Sequence, residues 1–212
     1  MKNHKQMCGL AVAVDCVGDR WTLLIVRELL IQPRTFSELQ LYLPGCSPNL
    51  LVSRLKEMIG RGMVCQKEEG HKKRGFYQLT RAGLSLREVV ESLVRWGGEL
   101  IPKQRGLSER SPHWLEVAVP AILRPKLNLG SRYKIQFLID DHEFAVSANN
   151  YDLDVIRGKS ENPDITLNVS YEKLLAMMSG YLPLKSLTQN EIESKQYPAK
   201  AAALKKLQEI LS

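Results

Sequence analysis

The hydrophobic period of this chain changes at Gly62. Before it, apolar residues recur at the roughly 3.6-residue spacing of helices; after it, they alternate with polar residues as in strands. The stretch "CSPNLLVSRLKEMIGRGMV" sets Leu51, Leu55, Met58 and Ile59 on one helical stripe, with Ser47-Pro48 as N-cap and first-turn proline. "MVCQKEE" and "GFYQLT" then read as two strands joined by "GHKKRG". Upstream, "CGLAVAVDCVG" reads as a short helix closed by a left-handed Gly18. "DRWTLLIVRELLI" reads as a helix capped by Asp19, with Trp21, Leu24, Ile25 and Leu29 inside, and "TFSELQLYL" as a third with a Thr35–Glu38 capping box. Downstream, Thr80 caps a long helix over 80–100, with Leu84, Val90, Leu93 and Trp96 near one stripe. Trp21 and Trp96 are expected in the core.

Two short helices joined by a tight turn, followed by a hairpin with a basic tip, make a winged helix-turn-helix. The face left outside by the helix after Ser47 carries Asn49, Ser53, Arg54 and Lys56. A B-form major groove about 12 Å wide admits one helix, so Asn49, Ser53 and Arg54 are candidates for base edges. Amide groups near Ser47 are candidates for a phosphate. Lys72, Lys73 and Arg74 at the hairpin tip would meet phosphate oxygens, contacts that fix position rather than sequence. Charge agrees with this. Residues 1–106 carry 17 Lys and Arg against 10 Asp and Glu, whereas residues 107–212 carry 13 of each. A basic half beside a neutral one points to a polyanion for the first half only.

Other classes fit less well. The 44% hydrophobic and 25% charged composition is that of an ordinary soluble chain. It has no run of 18 apolar residues, so no membrane span is expected. "MKNHKQMCGLAVAVDC" imitates a secretory signal, but its apolar run stops at Asp15 and continues in helical phase, so a cytoplasmic location is expected. Cys8, Cys16, Cys46 and Cys65 form no CxxC pair and the histidines are scattered, so neither a metal site nor a disulfide framework is expected. With no nucleophile triad, glycine-rich phosphate loop or partnered carboxylate pair, neither enzyme activity nor a cofactor is expected.

The stretch from "CGLAVAVDCVGDRWTLLIVRELL" through "SPNLLVSRLKEMIGRGMV" to "FYQLTRAGLSLREVVESLVRWG" resembles the HxlR family of bacterial transcription regulators, relatives of the MarR group. The resemblance implies a homodimer formed by residues 8–17 and 80–100. It also implies an inverted-repeat operator with half-sites about one turn (~34 Å) apart. Cys8 resembles the family's N-terminal cysteine, which in some members senses oxidants; its place at a helix start near Lys5 favours thiolate.

The expected organisation is residues 1–102 as the winged-helix domain, 103–112 as a polar linker, and 113–212 as an α+β domain, making the chain mostly α with α+β. In the last segment, "HWLEVAVPAIL" reads as a helix bent or ended near Pro120. "YKIQFLID", "EFAVSA", "LDVIRG" and "DITLNVS" read as strands, and "YEKLLAMMSG" and "AKAAALKKLQEIL" as helices. This segment resembles the sterol-carrier-protein-type lipid-binding fold, chiefly in its opening hairpin and "NPDITLNVSYEKLLAMMSG". The resemblance implies an apolar tunnel for which Met177, Met178, Leu182 and Leu184 are lining candidates, methionine adapting to varied ligands. Three readings follow: a dimeric DNA-binding regulator modulated by an apolar small molecule, a lipid or acyl carrier whose helical half only dimerises, and a thiol-switched regulator acting through Cys8.

Overall fold

The computed structural model describes residues 5–69, 72–101, 111–127, 129–194 and 200–211. The chain divides into two compact units, 1–90 and 91–212. The division falls inside a helix, ahead of the expected linker, of which residues 103–110 lie outside the described part.

The first unit begins with α1 (Gly9–Val17) and α2 (Thr22–Ile31). Asp19 holds the start of α2: its Oδ1 accepts from the backbone N–H of Trp21 at 2.8 Å and of Thr22 at 3.1 Å. Gly18 closes α1 at φ −76°, an ordinary right-handed value and not the left-handed stop expected; its N–H donates to Val14 O. β1 (Arg34–Thr35) follows, then α3 (Phe36–Tyr42), entered through the full Thr35–Glu38 capping box. Ser47 caps α4 (Pro48–Gly60), with Pro48 in its first turn. Leu51, Leu55 and Met58 of α4 are buried with Ile25, Val26, Leu29, Leu39 and Leu43 of the core. Ile59 stays exposed, because three residues already fill the inward stripe and it falls beyond the edge. Trp21 and Leu24 are half-buried.

After Gly62, at φ +71°, the chain forms β2 (Val64–Glu69) and β3 (Lys72–Leu79). β3 pairs with β2 on one side and with β1 on the other, Arg34 opposite Tyr77, a third strand too short to read from the sequence. The hairpin is longer than expected. Glu69 pairs with Lys72, so Lys72–Gly75 belongs to the strand, and only Gly70 and His71, outside the described residues, separate the strands.

The expected long helix is two: α5 (Arg81–Leu84) and α6 (Arg87–Gly98). Thr80 caps α5, accepting from Gly83 N at 3.2 Å. The break has a local cause. Ser85 Oγ donates to Ala82 O at 2.7 Å, and the N–H of Leu86 turns to Gly83 O instead. Gly83 itself is required, since a Cβ there would lie 2.1 Å from Met63 O. Val90 is buried, but Leu84, Leu93 and Trp96 are exposed, Trp96 to 64%, so the expected core role of Trp96 is not met within the chain.

The second unit is an α+β layer. A sheet in the order β6-β5-β4-β7-β8 comprises β4 (Arg132–Ile139), β5 (His142–Asn149), β6 (Asp152–Arg157), β7 (Ile165–Val169) and the two-residue β8 (Ile192–Glu193). β4 pairs antiparallel with β5 and parallel with β7. Tyr133, Ile135, Phe137 and Ile139 alternate onto one face of β4 and are buried with residues of α7 (Leu115–Leu123), α8 (Tyr171–Met178) and α9 (Lys200–Leu211). α7 runs through Pro120 rather than ending there. Burying Leu115, Val119 and Leu123 in the core offsets the backbone hydrogen bond that proline removes.

Candidate nucleic-acid interface

The outer face of α4 is the first candidate site. Asn49, Ser53 and Lys56 are exposed, as is Val52, and they fall three or four residues apart, which sets them along one side of the helix. Ser47 Oγ accepts from Leu50 N at 3.4 Å, which ties up one first-turn amide.

Arg54 is held differently. Its Nη1 lies 2.7 Å from Glu57 Oε2 and 3.7 Å from Asp19 Oδ2. Glu57 Oε1 in turn takes Arg61 Nη2 at 3.0 Å, and Arg61 also donates to Asp15 O at 3.1 Å and to Cys16 Sγ at 3.0 Å. A chain of alternating charge thus runs along the flank of α4 and fastens it to the end of α1 and the turn before α2. The sequence marks Asp19 only as a helix cap, and the i, i+3 and i, i+4 spacings of Arg54, Glu57 and Arg61 suggest only local helix pairs.

Behind the helix, Glu28 is fully buried on α2. Its Oε1 accepts from Arg27 Nε at 3.0 Å and Nη2 at 2.8 Å, and its Oε2 lies 3.6 Å from Arg34 Nη2. Arg34, on β1, stacks over the Tyr42 ring at 4.3 Å. The cluster pins α2 to the edge strand of the hairpin sheet. Of the expected hairpin contacts, the backbone of Lys72, Lys73 and Arg74 lies in β3; their side chains fall outside the described residues.

Cys8 occupies the N-cap position of α1 and is exposed. The backbone N–H groups of Ala11 and Leu10 at the start of α1 lower its thiol pKa below the ordinary value, although its side chain makes no capping hydrogen bond. Cys46, buried, is shifted the other way by loss of solvent. No group of three or more His, Cys, Asp or Glu side chains that could hold a metal exists among the described residues, and no helix among them is long and apolar enough to cross a membrane.

The second unit contains a cavity of about 220 Å³ between the sheet and its helices. Met177, Met178 and Leu184 line it, with Phe137, Leu167 and Leu174. Leu182 does not; it is exposed beyond the end of α8. The lining is apolar apart from Lys126. Elsewhere in this unit, the Tyr133 hydroxyl is buried with no hydrogen-bond partner among the described residues, and burial pushes its pKa up to about 12.

A capped helix packed on a helical core, its outer face polar, followed directly by a hairpin whose sheet β1 completes, defines the first unit as a winged helix-turn-helix. The chain belongs to the HxlR-like helix-turn-helix family, which it matches over residues 16–105. YkvN of Bacillus subtilis, an HTH-type transcriptional regulator by name, is 30% identical over 95 residues, 44% of this chain and 80% of its own length. YvaP of the same organism, likewise named, is 35% identical over 101 residues, 47% of this chain and 94% of its own. Rv3095 of Mycobacterium tuberculosis is 36% identical over 95 residues, and the chain spans 60% of that relative's length. Among solved structures, the reduced form of the transcriptional regulator YodB from B. subtilis is 27% identical, with a TM-score of 0.41 over 47% of this chain and 99% of that one. The family match ends at residue 105, so most of the second unit lies beyond it.

Proposed function

We propose that the protein is a dimeric, sequence-specific DNA-binding transcriptional regulator whose second unit is a sterol-carrier-like domain that holds an apolar ligand. The observation that carries the DNA reading is the outer face of α4, where Asn49, Ser53 and Lys56 stand exposed in line behind a capped N-terminus. In this reading Asn49 and Ser53 meet base edges, Val52 meets a thymine methyl, and Lys56 and the Ser47 end of the helix meet phosphate. Arg54 reaches the groove only by leaving Glu57, so in the free protein it orients α4. Lys72, Lys73 and Arg74 supply phosphate contacts from the hairpin. Exposed apolar side chains support dimerisation: Leu10, Val12 and Val14 on α1, and Val89, Leu93 and Trp96 on α6. A twofold dimer would read an inverted repeat.

The test is selection of duplex fragments from sheared genomic DNA by the full-length protein, followed by sequencing. A shared inverted repeat among the selected fragments is the expected result. Fragments with no common sequence would replace the regulator by a carrier that uses its helical half to dimerise.

A specific observation favours a thiol-switched variant of the same reading. Cys8 is exposed, and two backbone N–H groups at the start of α1 stabilise its thiolate. Cys8→Ser should leave DNA binding intact and abolish its release by diamide. Equal release from both proteins would remove Cys8 from regulation.

A further inference from the structure

The second unit holds another cavity, of about 340 Å³, against the C-terminal half of α6. Its floor is Val94, Gly98 and Ile101 on the α6 side, with Ala118 of α7 and Leu175 of α8 opposite. The two cavities share two walls: Ile122 and Met178 line both. Ile122 and Met178 therefore stand beside both the sheet core and the α6 groove, and methionine is the residue that repacks most readily.

Size argues that the two cavities act together. Sites that enclose small ligands run to about 300–1,000 Å³. The core cavity at about 220 Å³ falls short of that range alone, and joined to the α6 cavity it falls within it. Polarity gives the orientation. The inner cavity is apolar apart from Lys126, whereas the outer one has Arg95, Glu99 and Ser179 in its lining. α6 is also firmly seated here: Arg95 Nη1 donates to Ala121 O at 2.6 Å, and Arg124 Nε pairs with Glu91 Oε2 at 3.0 Å.

We infer that the two cavities form one bipartite site for an elongated apolar molecule with a single polar end, its tail in the sheet core and its polar end beside α6, with Met178 and Ile122 as the movable partition. This rests on the ligand-binding reading above and deepens it: a long ligand touches α6, and a short one does not.

Gly98 offers the test, because a Cβ there meets no atom within 4 Å and so a larger side chain can be placed in the outer cavity without a clash at its base. Octanoic, dodecanoic and hexadecanoic acids would be titrated into full-length protein against a bound fluorescent naphthylamine. Wild-type affinity should rise with chain length, by up to about fourfold per newly buried methylene. Gly98→Phe should weaken hexadecanoic acid by about tenfold or more, as expected for two or more lost methylenes, and leave octanoic acid within about twofold. Leu184→Phe, in the wall of the inner cavity only, should weaken all three. Binding of every chain with no selective effect of Gly98→Phe would overturn the bipartite site and leave an inner ligand site standing. Failure of all three acids to bind wild-type protein would instead sink the ligand reading and the bipartite site with it.

Discussion

Glu28→Gln should cost the first unit much of its stability. The substitution keeps the shape of the side chain and removes its charge. Arg34 then remains with its side chain 4% exposed and its Nε buried without a hydrogen bond among the described residues. Arg27 is left with an uncharged amide oxygen in place of the carboxylate that accepts its two bonds. Breaking a buried pair by neutralising one partner costs about 3–5 kcal/mol, against a total stability of about 5–15 kcal/mol for a domain. At roughly 4–8 °C per kcal/mol for a unit of this size, the melting temperature should fall by at least ~12 °C. Calorimetry on the full chain would resolve the first unit's transition. The double variant Glu28→Leu/Arg34→Met, which removes both charges, should recover most of the loss, since apolar replacement of a buried pair is often neutral. A Glu28→Gln protein within about 1 kcal/mol of wild type would refute the view that this pair pins α2 to the hairpin sheet.

Three further outcomes are expected. Alanine at Lys72, Lys73 and Arg74 together should reduce the slope of log K against log salt by up to about three per protomer, at ~0.9 per phosphate contact, with sequence preference kept; an unchanged slope in filter binding removes the hairpin from the interface. Lys173 and then the Thr188 backbone hold Glu191 at a pKa of about 2, so this depressed carboxylate adds stability above its unfolded pKa of ~4.3 and loses it as pH falls through about 2. The stability gap between wild type and Glu191→Gln, from urea titrations, should accordingly narrow between those values, and a gap constant with pH would contradict the pairing. Tyr133→Phe removes a buried, unpartnered hydroxyl and should leave stability equal or raise it by about 1 kcal/mol, whereas a loss above that would reveal a partner for the hydroxyl.

Much of the reading unit was legible because its signals are local. The Thr35–Glu38 box, the Ser47-Pro48 start and the buried stripe of Leu51, Leu55 and Met58 depend on neighbours within one or two turns, and each stands where periodicity and capping put it. What failed depended on distant or competing partners. The helix over 80–100 breaks because one serine hydroxyl competes for a carbonyl, a choice periodicity does not register. β1 exists only because β3 lies beside it. Trp96 looked like core because a wide apolar stripe is the usual mark of burial, and within the single chain that stripe on α6 is left uncovered. At the site, Asn49, Ser53 and Lys56 could be picked out by their helical phase. The tether of Arg54 could not, since Asp19 reaches it from another segment of the chain. In the second unit Met177, Met178 and Leu184 line the cavity, whereas Leu182 is exposed beyond the end of α8, which composition alone does not show.

Sequence reading by α4 is measured by the ratio of operator to random-duplex affinity for wild type and for Asn49→Ala/Ser53→Ala, at fixed salt. Loss of base contacts is worth about 1–3 kcal/mol per bidentate pair. The double variant should therefore lose roughly tenfold or more of that ratio, at identifiable operator positions, while its affinity for random duplex stays near that of wild type. A ratio unchanged by the double substitution would take the outer face of α4 out of the groove.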